Sequence, residues 1–280
     1  MNFDILLKSK KPLIMGILNV TPDSFYDGGI NYSADKALLR IEEMISQGAD
    51  IIDVGGESTR PGAEPVTEDE EIKRVIPVIT QAAKRFKNII ISVDTYKASV
   101  ARTAIKAGAK IVNDISAMNF DPQMAEVIAS ENAHVILMHI KGTPKDMQKN
   151  PVYKNTVKQI YSYLKNRTDY ARKNGIKENK ILLDPGIGFG KKAKHNIDVL
   201  SNISSFVSLN KPLVLGISRK SFIGKLLGSE KNPIPANQRL SGTLACTAWA
   251  YLSGVKIFRT HDVLETRQFL DMLNLISNRK

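Results

Sequence analysis

The chain has 280 residues, 42% of them apolar and 24% charged, which is enough apolar material for a sizeable core and argues against disorder. No apolar run approaches the roughly 18 residues that cross a bilayer, the early Asp4 argues against a signal peptide, and a single cysteine, Cys246, excludes an intramolecular disulfide. The net charge of +12 raises nucleic acid as a partner, but the cations are spread in small clusters such as Lys8-Lys10-Lys11 and Lys191-Lys192-Lys194, with no accompanying nucleic-acid motif. A cytoplasmic protein acting on anionic small molecules is expected, with neither nucleic acid nor membrane as partner.

Short apolar runs alternate with longer amphipathic segments from end to end. The runs cover residues 13–20, 50–54, 89–93, 110–112, 134–138, 180–183, 212–217 and 255–258. Helical periodicity covers 34–47, 68–86, 98–107, 122–130, 152–174, 196–206, 240–253 and 263–277, and a further helical pattern begins at Ser221. Gly48, Gly108, Gly175 and Gly254 each stand where a helix is expected to stop. Eight strand–helix units imply a parallel sheet with right-handed crossovers, and in this length they predict an α/β fold, a (β/α)8 TIM barrel. A doubly wound open sheet is the alternative. With no linker or low-complexity stretch, one domain over residues 1–280 is expected. Cys246 lies in an apolar helical pattern and reads as a buried, inert thiol.

In such a barrel the strand ends face one mouth. Here they carry Asn19, Asp53, Asp94, Asn113-Asp114, His139, Asp184, Ser218 to Lys220, and Arg259 with His261. A single one of these would pass as a helix cap; eight in register read as a site. Asp94, Asn113, Asp184 and Lys220 combine carboxylates, an amide and an ammonium, the set a flat nitrogen heterocycle would use. Asn19, Arg259 and His261 suit a phosphate group with a hard cation. Arg219 and Lys220 precede a helix start, where cations are disfavoured unless a ligand supplies negative charge. The glycine-rich DPGIGFG at 184–190 lacks the spacing of a phosphate loop. His139 reads as a satisfied buried imidazole, and His195 as a cap or surface residue. Two long loops, at 19–32 and 55–67, follow the first two strands on the same face.

These segments resemble dihydropteroate synthases along almost the whole chain. The resemblance is carried by MGILNVTPDSF (15–25), DVGGESTRPGA (53–63), SVDTYK (92–97), VNDIS (112–116), LMH (137–139), LLDPGIGFGK (182–191), GISRKSFIG (216–224), RLSGTLA (239–245) and RTHDV (259–263). Tyr26, Tyr96 and Ile187 depart from the commoner pattern. The resemblance implies a transferase of folate biosynthesis and sulfonamide target that joins 6-hydroxymethyl-7,8-dihydropterin pyrophosphate to p-aminobenzoate with the help of Mg²⁺, as a homodimer. It further implies that Asp94, Asn113, Asp184 and Lys220 hold the pterin, with Met138 and Phe189 lining its slot. Asn19, Arg259 and His261 would take the pyrophosphate, with Asn19 on the metal. Phe25, Thr59, Arg60, Pro61 and Ser221 would shape the p-aminobenzoate end. Lys220, Asp94, Arg259 and His261 would carry the catalysis. A pterin-binding methyltransferase on the same barrel is the rival reading, and STRPG with SRKS speak against it because a methyltransferase binds no aryl acid.

Overall fold

A short helix, α1 (Phe3–Lys8), precedes eight parallel strands. The computed structural model describes residues 2–21 and 29–277. In chain order the elements are β1 (Leu13–Asn19), α2 (Gly29–Ser46), β2 (Ile51–Gly55), α3 (Glu68–Arg85), β3 (Ile90–Asp94), α4 (Ala98–Ala107), β4 (Ile111–Asp114), α5 (Met124–Ser130), β5 (His134–Met138), α6 (Thr156–Lys173), β6 (Ile181–Asp184), α7 (Ala193–Ser201), α8 (Ile203–Val207), β7 (Val214–Gly216), α9 (Ser221–Leu227), α10 (Leu240–Leu252), β8 (Ile257–Thr260) and α11 (Val263–Ser277). The strand order is β6-β5-β4-β3-β2-β1-β8-β7, and the single bridge Leu183–Leu213 brings β6 against β7. One barrel, with helices around it, accounts for all of these elements.

Strands buried on both faces explain why the sequence shows runs rather than alternation. The outward residues pack on the helices in one large core that includes Ile14, Ile52, Val93 and Phe258. The inward residues Leu13, Met15, Ile51, Ile90, Ile111, Ile136, Leu182, Val214 and Ile257 fill the barrel's lower half, and Phe3 of α1, backed by Leu6 and Leu7, closes its base.

Side chains alternate faces along a strand. Two residues above each of six members of that inner layer stand Asp53, Ser92, Asn113, Met138, Asp184 and Arg259, and one step higher on β3 stands Asp94. The interior therefore changes from apolar to polar within one pleat. Parity also sorts neighbours: Asp114 faces outward, where it accepts from the backbone N–H of Ser116 (2.8 Å) and of Met118 (2.6 Å). Its half of the expected Asn113-Asp114 pair caps a loop and leaves the mouth.

Other expectations need correction. The helix expected over 196–206 begins at Ala193 and is broken at Asn202 into α7 and α8. The one expected from 152 starts at Thr156, because the Asn155 side chain accepts from the Lys158 N–H at 2.9 Å and fixes the start there. Cys246 is half-buried rather than fully buried. His195 does cap α7, accepting from the Lys192 N–H at 3.2 Å, but it is buried and not on the surface. His139 is the satisfied buried imidazole expected, with Lys191 Nζ at 2.9 Å from its Nδ1. All four glycines expected to stop helices have positive φ.

Candidate active site

The register of the sheet builds the site. Asn19 pairs with Gly55, Gly55 with Asp94, and Asp94 with Asn113, forming one row around the upper rim. Arg259 lies across from Met15 on one side and Gly216 on the other.

Arg259 organises the centre of this ring. Its Nε donates to Asp53 Oδ2 and its Nη2 to Asp94 Oδ2, each at 2.6 Å. Asn113 Nδ2 adds a second donor to Asp53 Oδ2 at 3.0 Å. Asp53 is fully buried and Asp94 nearly so, yet Oδ1 of each has no partner among the described residues. Burial pushes the Asp94 carboxyl up to about 7, against the pull of Arg259. The Asn19 amide, which stands 3.8 Å from the position a Gly55 Cβ would take, as does Asp94 Oδ2, makes no hydrogen bond to the described residues.

On the opposite wall, Asp184 Oδ1 accepts from the Gly186 N–H at 2.6 Å, and burial raises this carboxyl too. The 184–190 loop is a cradle for a lysine rather than a phosphate loop. Lys220 lies along it, donating to the Ile187 carbonyl, with its Nζ 4.2 Å from the centre of the Phe189 ring. Gly188 is required here: it has φ +84°, and a Cβ would come within 2.8 Å of Lys220 Cδ. Gly186, at φ +69°, would drive a Cβ into the His139 carbonyl. Burial lowers Lys220 to about 7, although Asp184 works the other way. Lys191 fixes the loop from beneath, donating to the carbonyls of Gly186 (2.7 Å) and Phe189 (3.0 Å).

The Arg219-Lys220 pair splits. Arg219, at φ +55°, turns outward into an ion pair with Asp262, and only Lys220 enters the mouth. The expectation of two cations facing one anion therefore holds for one of them. Ser218, between them and β7, accepts from the His261 N–H at 3.2 Å and lies 3.3 Å from its Nδ1. Burial, then the Arg259 charge, lowers His261 to about 4, so the ring is neutral at pH 7.

Asn19, Asp94, Asn113, Met138, Asp184, Phe189, Lys220, Arg259 and His261 thus belong to one mouth. Thr59, Arg60 and Pro61 lie on the loop above it, with Arg60 and Pro61 exposed, and Ser221 is exposed at the first turn of α9. Phe25 and Tyr26 lie outside the described residues. Sequence reasoning passed over Asp53 as a working residue, together with Ser218 and Lys191. The signal for Asp53 was its inward parity, two residues above Ile51.

Chemically, the mouth offers two kinds of recognition. Asp184, Asn113 and Lys220 present acceptors and donors on a wall lined by Met138 and Phe189. Arg259, His261 and Asn19 present a cation, an imidazole and an amide a few strands away.

The pterin-binding enzyme family matches residues 15–261. The dihydropteroate synthase of Escherichia coli strain K12 is 47% identical over 255 residues, covering 91% of this chain and 88% of its own. The solved dihydropteroate synthase of Yersinia pestis, in a sulfonamide drug complex, superposes with a TM-score of 0.88 at 42% identity, covering 96% of this chain and 95% of its own. That of Xanthomonas albilineans with 4-aminobenzoic acid gives a TM-score of 0.88 at 37% identity, over 96% and 94%.

Proposed function

The chain belongs to the dihydropteroate synthases among the pterin-binding enzymes, and from that membership we infer the reaction it catalyses and propose a division of labour at the mouth. It condenses 6-hydroxymethyl-7,8-dihydropterin pyrophosphate with p-aminobenzoate, giving 7,8-dihydropteroate and pyrophosphate. The observation that carries the reading is the adjacency of Asp184, Asn113 and Lys220, a set fitted to a pterin edge, to the Arg259–His261 end, fitted to a diphosphate. The methyltransferase alternative is not favoured by any of these relatives.

In the proposed pose Asp184 accepts from the ring N–H and amino group through the oxygen that Gly186 leaves open, Lys220 donates to the ring carbonyl, and Asn113 does either. Met138 and Phe189 line the slot that takes the ring. The nucleophile is an aromatic amine, neutral at pH 7, so the site needs no general base. Electron density from the dihydropterin ring assists departure of pyrophosphate, and the protein's task is electrostatic. Arg259 keeps Nη1 for the leaving group while its other nitrogens stay on Asp53 and Asp94. An anion arriving beside His261 raises that imidazole, so it gains positive charge where negative charge collects. Asp94, the acceptor of the Arg259 Nη2 bond, steadies the cationic pterin. Thr59, Arg60, Pro61, Ser221 and Phe25 shape the p-aminobenzoate end.

The donors fit Mg²⁺. They are oxygens only, namely the Asn19 amide and Oδ1 of Asp53 and Asp94, two of them buried without partners. Among the described residues no group of three or more His, Cys, Asp or Glu could hold a metal, so phosphate oxygens of the substrate would complete the shell, the usual arrangement for this ion. When bound, Mg²⁺ supplies charge neutralisation at the diphosphate.

We also propose a homodimer. It is supported by the apolar side chains that α10 and α11 leave exposed, Trp249, Leu252, Met272, Leu275 and Ile276, on two helices packed side by side. Sedimentation of the wild type and of Trp249→Glu tests it: a mass that stays monomeric in the wild type sinks the idea. No helix among the described residues is long and apolar enough to cross a membrane, and a cytoplasmic site of action is the compartment proposed. The reaction itself is tested by product mass. Purified protein with both substrates should form 7,8-dihydropteroate, whereas a methylated product from a methyl-pterin donor would overturn the assignment.

A further inference from the structure

The second long loop is cinched at its neck by one buried carboxylate. Glu57 stands two residues past β2, and its Oε2 accepts from the Val66 N–H at 3.0 Å, at the far end of the same loop. The same oxygen accepts from Lys97 Nζ at 2.5 Å, and Lys97 also donates to Glu71 Oε2 at 2.5 Å in the first turn of α3. The other oxygen, Oε1, accepts from the Tyr96 hydroxyl at 2.6 Å. Glu57, Glu71 and Lys97 are all buried. Thr59, Arg60 and Pro61 hang from this neck.

Tyr96 is the member with a second attachment. Its ring packs against the cluster of Ile115, Met138, Ile140 and Met147, on which Phe189 also packs, and meets Phe120 edge-on at 5.4 Å. Met138 and Phe189 are the walls of the pterin slot in the reading above. One side chain thus has its ring on the apolar cluster behind the first pocket and its hydroxyl on the neck of the loop that forms the second.

We propose that Tyr96 is a positioning residue that couples the pterin slot to the neck of the second loop and thereby sets affinity for p-aminobenzoate. The inference rests on the two-pocket reading. A ring held against the cluster that contains Met138 fixes where its hydroxyl stands, and that hydroxyl fixes Glu57, which ties residue 57 to residue 66. A filled slot restrains the ring further and narrows the loop's range of positions. Burial raises the tyrosine hydroxyl's pKa and keeps it a donor, and hydrogen bonds to Glu57 and Glu71 hold Lys97 above its ordinary value despite burial.

The test is Tyr96→Phe, which deletes one hydroxyl and leaves the ring in place. In steady-state assays with both substrates varied, KM for p-aminobenzoate should rise about fivefold, the loss of one hydrogen bond to a charged group transmitted in part. The kcat and the KM for the pterin substrate should stay within about twofold. Glu57→Gln keeps the shape of the neck and should raise the same KM. The double variant should be no worse than Glu57→Gln alone, since both act through one bond. An unmoved KM for p-aminobenzoate in Tyr96→Phe, or an equal rise in both KM values, would overturn the coupling while the active wild type keeps the function. Wild-type protein that forms no dihydropteroate would overturn the function and the coupling with it.

Discussion

Removing Arg259 tests the electrostatic centre of the site through stability as well as rate. Arg259→Ala deletes both charge-assisted bonds, to Asp53 and to Asp94. Asp53 keeps its contact with Asn113, but Asp94 loses its one side-chain donor among the described residues. The guanidinium is 19% exposed and the two carboxylates 0% and 8%, so solvent replaces little of what is lost. Breaking a buried pair by removing one partner costs about 3–5 kcal/mol. At about 2–4 °C per kcal/mol for a large domain, Tm should fall by roughly 10 °C.

One route of relief is open, and it gives the prediction a sign. Asp94 is already raised to about 7 by burial, with Arg259 as the main force holding it down. A carboxyl raised in the folded state contributes stability that is present below its unfolded value, near 4, and lost as pH rises through the folded value. Without Arg259 that folded value climbs above 7, so the variant's Tm should drop more steeply than the wild type's between pH 6 and pH 8. Differential scanning calorimetry at both pH values measures it, and Arg259→Ala with Asp94→Asn should recover most of the loss at pH 8. A Tm within about 3 °C of wild type, or a loss independent of pH, would refute the reasoning. Below the variant's Tm, kcat should fall on the order of 10²–10³-fold, as for loss of an oxyanion donor; lost pterin binding with normal turnover at saturation would contradict the assignment to the leaving group.

Lys220→Ala should weaken pterin binding and turnover with little change in Tm, and Lys220→Arg should rescue neither, because a planar fork does not fit the cradle over Gly188. Since Lys220 is lowered to about 7 and its ammonium form is the carbonyl donor, pterin affinity should weaken about tenfold from pH 6 to pH 8, with the slope lost in Lys220→Ala; a flat profile in the wild type would contradict this. Binding should be ordered. Calorimetry should find p-aminobenzoate or a sulfonamide bound at least about tenfold more tightly once pyrophosphate, Mg²⁺ and a pterin are present, and equal affinities would mean a preformed second pocket.

Much of the fold was legible because its physics is local. A strand buried on both faces reads as an apolar run, and a helix that stops in a left-handed turn demands glycine, so runs and stops located the eight units. Where tertiary contact decides, the sequence was silent. Nothing around Phe3 says that the six-residue helix capped by Asn2 closes the barrel base. No glycine or proline marks the break at Asn202.

The site divides in the same way. Residue types at the strand ends pointed to the mouth, and strand parity, once boundaries are known, separates Asn113 from Asp114. Partners across long sequence distances were not legible. Arg219 and Lys220 are adjacent and equally charged, and only Asp262, 43 residues on, draws the first away. From the sequence Asp53 was one strand-end residue among eight positions, whereas it clamps Arg259, 206 residues away.

The central claim is that one mouth holds both substrates and that, over repeated turnovers, each pyrophosphate released is matched by one bond to the aryl amine. Continuous measurement of pyrophosphate release, with the dihydropterin pyrophosphate saturating and Mg²⁺ present, tests it most directly. Sustained release should require p-aminobenzoate and should match dihydropteroate formed one for one. Release at the same rate without p-aminobenzoate, or none with both substrates present, would contradict the account.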